Sequence, residues 1–234
     1  MSSLIKRKQA PDFSTVTVLL YGEAGAGKTT LGCSAGTIKN RLVVCCEGGT
    51  KAIAGDIAEV SSLKELNEVI RYLTKNDHPY EYVVIDGLNR LYRSIHRQSP
   101  SGKVNSKGDP VKDKRLSHVE PTQELTAALD QLSALPLVKI LIAHSKIEKD
   151  EDGYEHTVLA LPEALCRYVK QLVDVGIHCW RSGQNYHFTA DEISHKSGTV
   201  WGKDRSGRLG ARPRVQKWGT IEQALGLEPP KPKE

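Results

Sequence analysis

Apolar residues in this chain fall into short unbroken runs separated by stretches with helical spacing. Thr15–Tyr21 (TVTVLLY), Arg41–Cys46 (RLVVCC), Tyr82–Asp86 (YVVID) and Val138–Ala143 (VKILIA) are such runs. Each predicts a strand covered on both faces, the last one ending at His144. Between them, Leu66, Val69, Ile70 and Leu73 recur at helical spacing behind Ser62 and Glu65. That capping-box pattern predicts a helix from Ser62, stopped by Asn76-Asp77-His78-Pro79. Leu88 to Gln98 reads as another helix. Ser117 with Glu120 predicts a second capping box, opening a helix through Leu125, Leu129 and Leu132 that ends at Pro136. Beyond His144 the pattern changes, because Lys146 to Thr157 is charged around Asp152-Gly153, a hairpin signal. A helix over Glu163–Leu172, a strand over Val173–Trp180 and a partner strand over Tyr186–Thr189 complete the reading. It predicts an α/β fold with a mainly parallel central sheet flanked by helices, and antiparallel strands added late.

Composition narrows the class. With 234 residues, 26% charged and 38% hydrophobic, the chain has the size and make-up of one globular domain, and no apolar run approaches the length of a membrane span. The leader 1–14 carries basic residues with no apolar core behind them, so a cytoplasmic location is expected. Residues 15–195 read as the core and 196–234 as a basic C-terminal segment whose end, Glu228–Glu234, is expected to be disordered. Cys33, Cys45, Cys46, Cys166 and Cys179 form no C-x-x-C pair, which argues against a disulfide framework or a zinc site. Cys45 and Cys46, adjacent in a strand, should point to opposite faces. The formal charge of +5 is concentrated in Arg97–His118 and Lys196–Lys217. Two readings stay open for these segments: solvated surface, or contact with a phosphate backbone.

The candidate chemistry begins at Gly22-Glu23-Ala24-Gly25-Ala26-Gly27-Lys28-Thr29, which matches G-x-x-x-x-G-K-[ST] between a predicted strand and the helix that begins around Thr30. This context implies a P-loop and hence a nucleoside triphosphate, with ATP and Mg²⁺ as the expected cofactors. Its glycines let successive backbone N–H groups face phosphate oxygens, and the following helix adds its dipole. Lys28 can reach the β- and γ-phosphates, and Thr29 can offer its hydroxyl to the metal.

In a parallel sheet, ligands sit at the carboxyl ends of the strands, which here carry Glu47, Asp86 and His144. Asp86 closes an apolar strand as a Walker B carboxylate does, and so is the second expected metal residue. Gly87 follows it, so no acidic neighbour supplies a base. Glu47 precedes Gly48-Gly49 and, if its strand lies beside the P-loop strand, can point at a water in line with the γ-phosphate; the other reading is a surface glutamate in a turn. His144 is either a γ-phosphate sensor or a polar strand end whose bonds are already satisfied.

The set GEAGAGKTT, Cys46-Glu47-Gly48-Gly49, YVVID and a strand with a polar end resembles the RecA-like ATPase core. More narrowly, it is similar to the phage Sak-type single-strand annealing ATPases, over roughly Thr15 to Trp180. That resemblance implies Lys28 and Thr29 on phosphate and Mg²⁺, Asp86 supporting the metal, Glu47 as general base and His144 as switch. It also implies a homo-oligomer on single-stranded DNA with ATP at subunit interfaces. Lys203, Arg205 and Arg208 are then the basic residues for a neighbour's γ-phosphate, with Arg205 foremost. A single-stranded-DNA-binding protein is a further expected partner, no membrane is, and the location would be the host cytoplasm if the chain is phage-encoded. The sensor is His where recombinases usually carry Gln. Trp201 and Trp218 can stack on bases or pack the tail against the core. Two other functions fit the motifs: a small-molecule kinase with Arg97–His118 as lid, and a nucleotide-gated loader for a replication protein.

Overall fold

The computed structural model describes residues 15–48, 53–75, 77–99, 118–195, 198–209 and 218–227. Thr17–Gly22 (β1), Arg41–Cys45 (β2), Asp56–Glu59 (β3), Tyr82–Asp86 (β4), Val138–Lys149 (β5) and Val175–Ser182 (β7) lie parallel in the order β7-β1-β5-β4-β2-β3. Every residue of β1, β2 and β4 is buried. The reason is that both faces are covered. Leu19 and Tyr21 point into one core with Leu63–Lys75 (α2), Leu88–Gln98 (α3), Val119–Ser133 (α4) and Glu163–Leu172 (α5). Val18 and Leu20 point into the other, beneath Lys28–Gly32 (α1) and Trp218–Leu225 (α6). The chain is thus an α/β protein with a mostly parallel sheet between two helical layers, as the apolar runs predict.

Several elements match the sequence reading residue for residue: β4, α3 and α5. Others differ. Ser62 Oγ accepts the Glu65 N–H at 3.2 Å, but the Glu65 carboxylate reaches back to the Ser61 N–H at 2.6 Å, one residue earlier than a capping box requires. The second predicted box rests on Ser117, which lies outside the described residues; at the start of α4 Glu120 accepts from Ser99 Oγ at 2.9 Å. β5 does not end at His144. It runs on to Lys149 and pairs antiparallel with Glu155–Leu159 (β6), closing the expected hairpin. Asn185–Thr189 (β8) forms the expected antiparallel partner of β7.

Segments after residue 195 join this framework. Gly198–Val200 (β10) adds to β6 and pairs with Ile193–His195 (β9), Lys203–Asp204 (β11) pairs with the start of β7, and α6 packs on the second core. The core and the described part of the basic C-terminal segment therefore share one sheet, and the leader 1–14 lies outside the described residues. Trp218 is 1% exposed in α6, and Trp201 packs on Tyr21, so both pack against the core rather than standing free. Cys46 joins the first core while Cys33, beside Cys45, joins the second, which places the Cys45-Cys46 pair on opposite faces. No disulfide forms among these residues. Among the described residues no helix is long and apolar enough to cross a membrane. The expected disordered end, 228–234, lies outside the described residues, as do 100–117 of the first basic segment and 196–197 and 210–217 of the second.

Candidate nucleotide-binding site

Register brings the chemistry together. Gly22 pairs with His144, and Cys45 with Asp86, so the carboxyl ends of β1, β4 and β2 and the middle of β5 share one edge of the sheet. Around that edge is a pocket of about 370 Å³ lined by Ala24 to Thr30, Glu47, Asp86, Gly87, Ile142, Ala143, His144 and Tyr186. This is the size of a small-molecule site.

The loop Gly22–Gly27 leads directly from β1 into α1. Gly27 holds φ at 80°, a left-handed conformation that side chains resist, and a Cβ there would meet Tyr186 Cδ1 at 2.9 Å. α1 starts at Lys28, two residues before the expected Thr30, and has only five residues, so the loop's N–H groups and Lys28 supply more of the positive potential than a helix dipole can. Lys28 is 5% exposed and its ammonium donates to the carbonyls of Gly22 at 3.0 Å and Glu23 at 2.6 Å. Burial lowers its pKa, against the opposing pull of Cys179, Glu47 and Asp86. A phosphate oxygen would exchange weak carbonyl acceptors for charged ones.

Thr29 Oγ donates toward the Asp86 carboxylate, 3.1 Å from each oxygen. Burial raises the Asp86 pKa, the Thr29 hydroxyl lowers it, and Glu47 raises it further. A hydroxyl beside a carboxylate is the hard-oxygen donor set that suits Mg²⁺, which takes few protein ligands and completes its shell with phosphate and water. Among the described residues no group of three or more His, Cys, Asp or Glu is placed to hold a metal. The pair therefore fits a metal that arrives with a nucleotide.

The strand before Glu47 does not lie beside the P-loop strand, the condition on which its approach to the γ-phosphate was expected. β5 and β4 lie between β2 and β1, because strand order in space does not follow chain order. The Glu47 side chain nevertheless crosses over Gly87 into the pocket, and His144 Nε2 lies 3.1 and 3.2 Å from its two carboxylate oxygens. Gly87 explains the crossing, since a Cβ at that position would be 2.3 Å from Glu47 Cγ. Asn89 is a positioning residue that the sequence reading missed. Only 3% exposed, it accepts the His144 N–H on Oδ1 at 2.6 Å and donates through Nδ2 to the Ala160 carbonyl at 2.5 Å. A polar residue on an otherwise apolar helix face was the available signal.

Arg205 is not in this pocket. Its guanidinium pairs with Asp174 Oδ1 at 2.8 Å, at the opposite end of β7. Lys203 donates to the carbonyls of Lys170 and Val173 at the end of α5, and Arg208 to that of Leu225. All three are engaged within their own chain.

A phosphate-cradling loop, a hydroxyl–carboxylate pair and a carboxylate over them, all at the strand ends of a parallel sheet, define a P-loop nucleotide hydrolase. The family model described as an AAA domain matches residues 14–206, and the chain belongs to that family. Members are P-loop ATPases that typically use ATP with Mg²⁺. A search among curated proteins returns no match to this chain.

Proposed function

We propose that this protein is a RecA-like ATPase that binds single-stranded DNA and promotes annealing in recombination, working as a homo-oligomer in the manner of the Sak-type proteins. The observation that carries the reading is the Glu47–His144 contact beside Thr29 and Asp86. In it Lys28 exchanges the Gly22 and Glu23 carbonyls for phosphate oxygens. Thr29 and Asp86 hold Mg²⁺, which when bound neutralises charge on the phosphates. Glu47, held over the pocket by His144, accepts the proton of the attacking water. His144, bonded to the same carboxylate, is placed to register the loss of the γ-phosphate. It stands where β5 leaves the central sheet for the hairpin with β6.

Lys146 pairs with Glu148 and Lys149 with Glu155, so the hairpin spends its own positive charge internally. The DNA contact is therefore assigned to the remaining cations of the basic segments Arg97–His118 and Lys196–Lys217, since a phosphate backbone is held by Lys and Arg with little else required. Arg205 reaches a neighbour's γ-phosphate only if assembly releases it from Asp174.

The test is steady-state ATP hydrolysis by the full chain with and without single-stranded DNA, alongside Lys28→Ala and Glu47→Gln. Stimulation by DNA that both variants abolish supports the reading. Full activity in Glu47→Gln removes the base assignment. Slow hydrolysis indifferent to DNA favours the loader reading.

A further inference from the structure

One wall of the pocket is left over by this chemistry. Asp86, Glu47 and His144 come from β4, β2 and β5, all on the same side of β1. The γ-end of a triphosphate laid along Gly22–Thr29 therefore points to that side, and its ribose and base leave toward β7. There the β7–β8 hairpin carries Tyr186 to the lip of the pocket.

Tyr186 has no packing duty that requires its size. Phe188, two residues on, is 5% exposed and already fills the core beneath Gly27, where a Cβ would meet its Cζ at 3.5 Å. Tyr186 itself is 49% exposed. Its ring is nonetheless held in place, with one edge against Gly27 and the Arg181 guanidinium 5.4 Å from its centroid. Arg181 is tied in turn by Nε to the Gly183 carbonyl at 2.8 Å. A half-exposed aromatic ring, fixed at the end of a phosphate loop with a planar cation over it, suits a flat π-system.

We propose that Tyr186, with Arg181 beside it, is the platform on which the base of the bound nucleotide stacks. The proposal rests on the nucleotide reading of the P-loop and adds to it the residue that separates a nucleotide from a bare polyphosphate. Recognition by stacking accepts any purine face, because it reads area and polarisability rather than the hydrogen-bonding edge.

Calorimetric titration of the full chain with MgATP and, separately, with magnesium tripolyphosphate tests this, using the unsubstituted protein, Tyr186→Ala and Tyr186→Phe. The expected result is an ATP affinity weakened about tenfold or more in Tyr186→Ala, tripolyphosphate affinity unchanged, and ATP affinity restored in Tyr186→Phe. Equal weakening of both ligands would overturn the proposal, since the ring would then only support the P-loop through Gly27. Unchanged ATP affinity in Tyr186→Ala would overturn it as well, while leaving the P-loop reading intact. Failure of the unsubstituted protein to bind either ligand would instead remove the nucleotide reading, and this proposal with it.

Discussion

Gly87 and Glu47 are one feature seen from two strands. At φ 100° only glycine is comfortable after Asp86, and the absent Cβ is the space that Glu47 Cγ uses. Gly87→Ala should therefore behave like a damaged Glu47. We expect hydrolysis to fall by about two orders of magnitude, as for loss of a general base, with ATP affinity kept, in steady-state assays run beside Glu47→Gln. Asn89→Leu should act by another route. It leaves the His144 N–H and the Ala160 carbonyl without their side-chain partner, at a cost of about 2 kcal/mol in urea unfolding. At this scale the P-loop and Asp86 were legible because their spacing is a motif. The neighbours of Glu47 were not, since they depend on which strands lie side by side. Asn89 escaped because a single polar position in a helical pattern carries little weight until its partners are known.

Elements were legible wherever burial on both faces produced an unbroken apolar run, as in β4, or a full helical stripe, as in α5. They were lost where burial is partial. β3 (DIAE) is half-exposed at the sheet edge, and the outer half of β5 was legible only as one arm of a hairpin, not as a continuation of the buried strand. Two buried attachments secure the helical layers. Lys139, 1% exposed in β5, donates to the carbonyls of Thr15, Ser133 and Leu135, joining the end of α4 to the entry of β1. On the other face, Trp218 anchors α6, and Glu222 of the same helix accepts from the Tyr82 hydroxyl at 2.8 Å. Trp218→Ala should lower stability by about 3–5 kcal/mol, read as a shift of the denaturant midpoint, whereas Glu222→Gln, which retains an acceptor, should cost about 1 kcal/mol or less.

For the whole molecule, His178 and Lys139 are two of the buried bases through which stability depends on pH. Burial, with the Lys28 charge adding to it, lowers His178 from 6.5 to about 4, and burial lowers Lys139 from 10.5 to about 8. In each interval the unfolded chain binds the proton that the folded one refuses, so stability rises with pH across both. Urea unfolding should therefore show stability lost as pH falls from 6.5 toward 4, and His178→Phe should flatten that limb. The longest strand has a mechanical consequence. β5 begins in the sheet beside β1, passes His144 at the phosphate end of the pocket, and emerges into the arm with β6 as a single rod of roughly 40 Å. A rod with its fulcrum at the hydrolytic centre transmits in both directions. If the arm binds a load, a tilt of the arm would reach Glu47 through His144, and by thermodynamic reciprocity a nucleotide that moved His144 would change the arm's affinity for that load by the same factor.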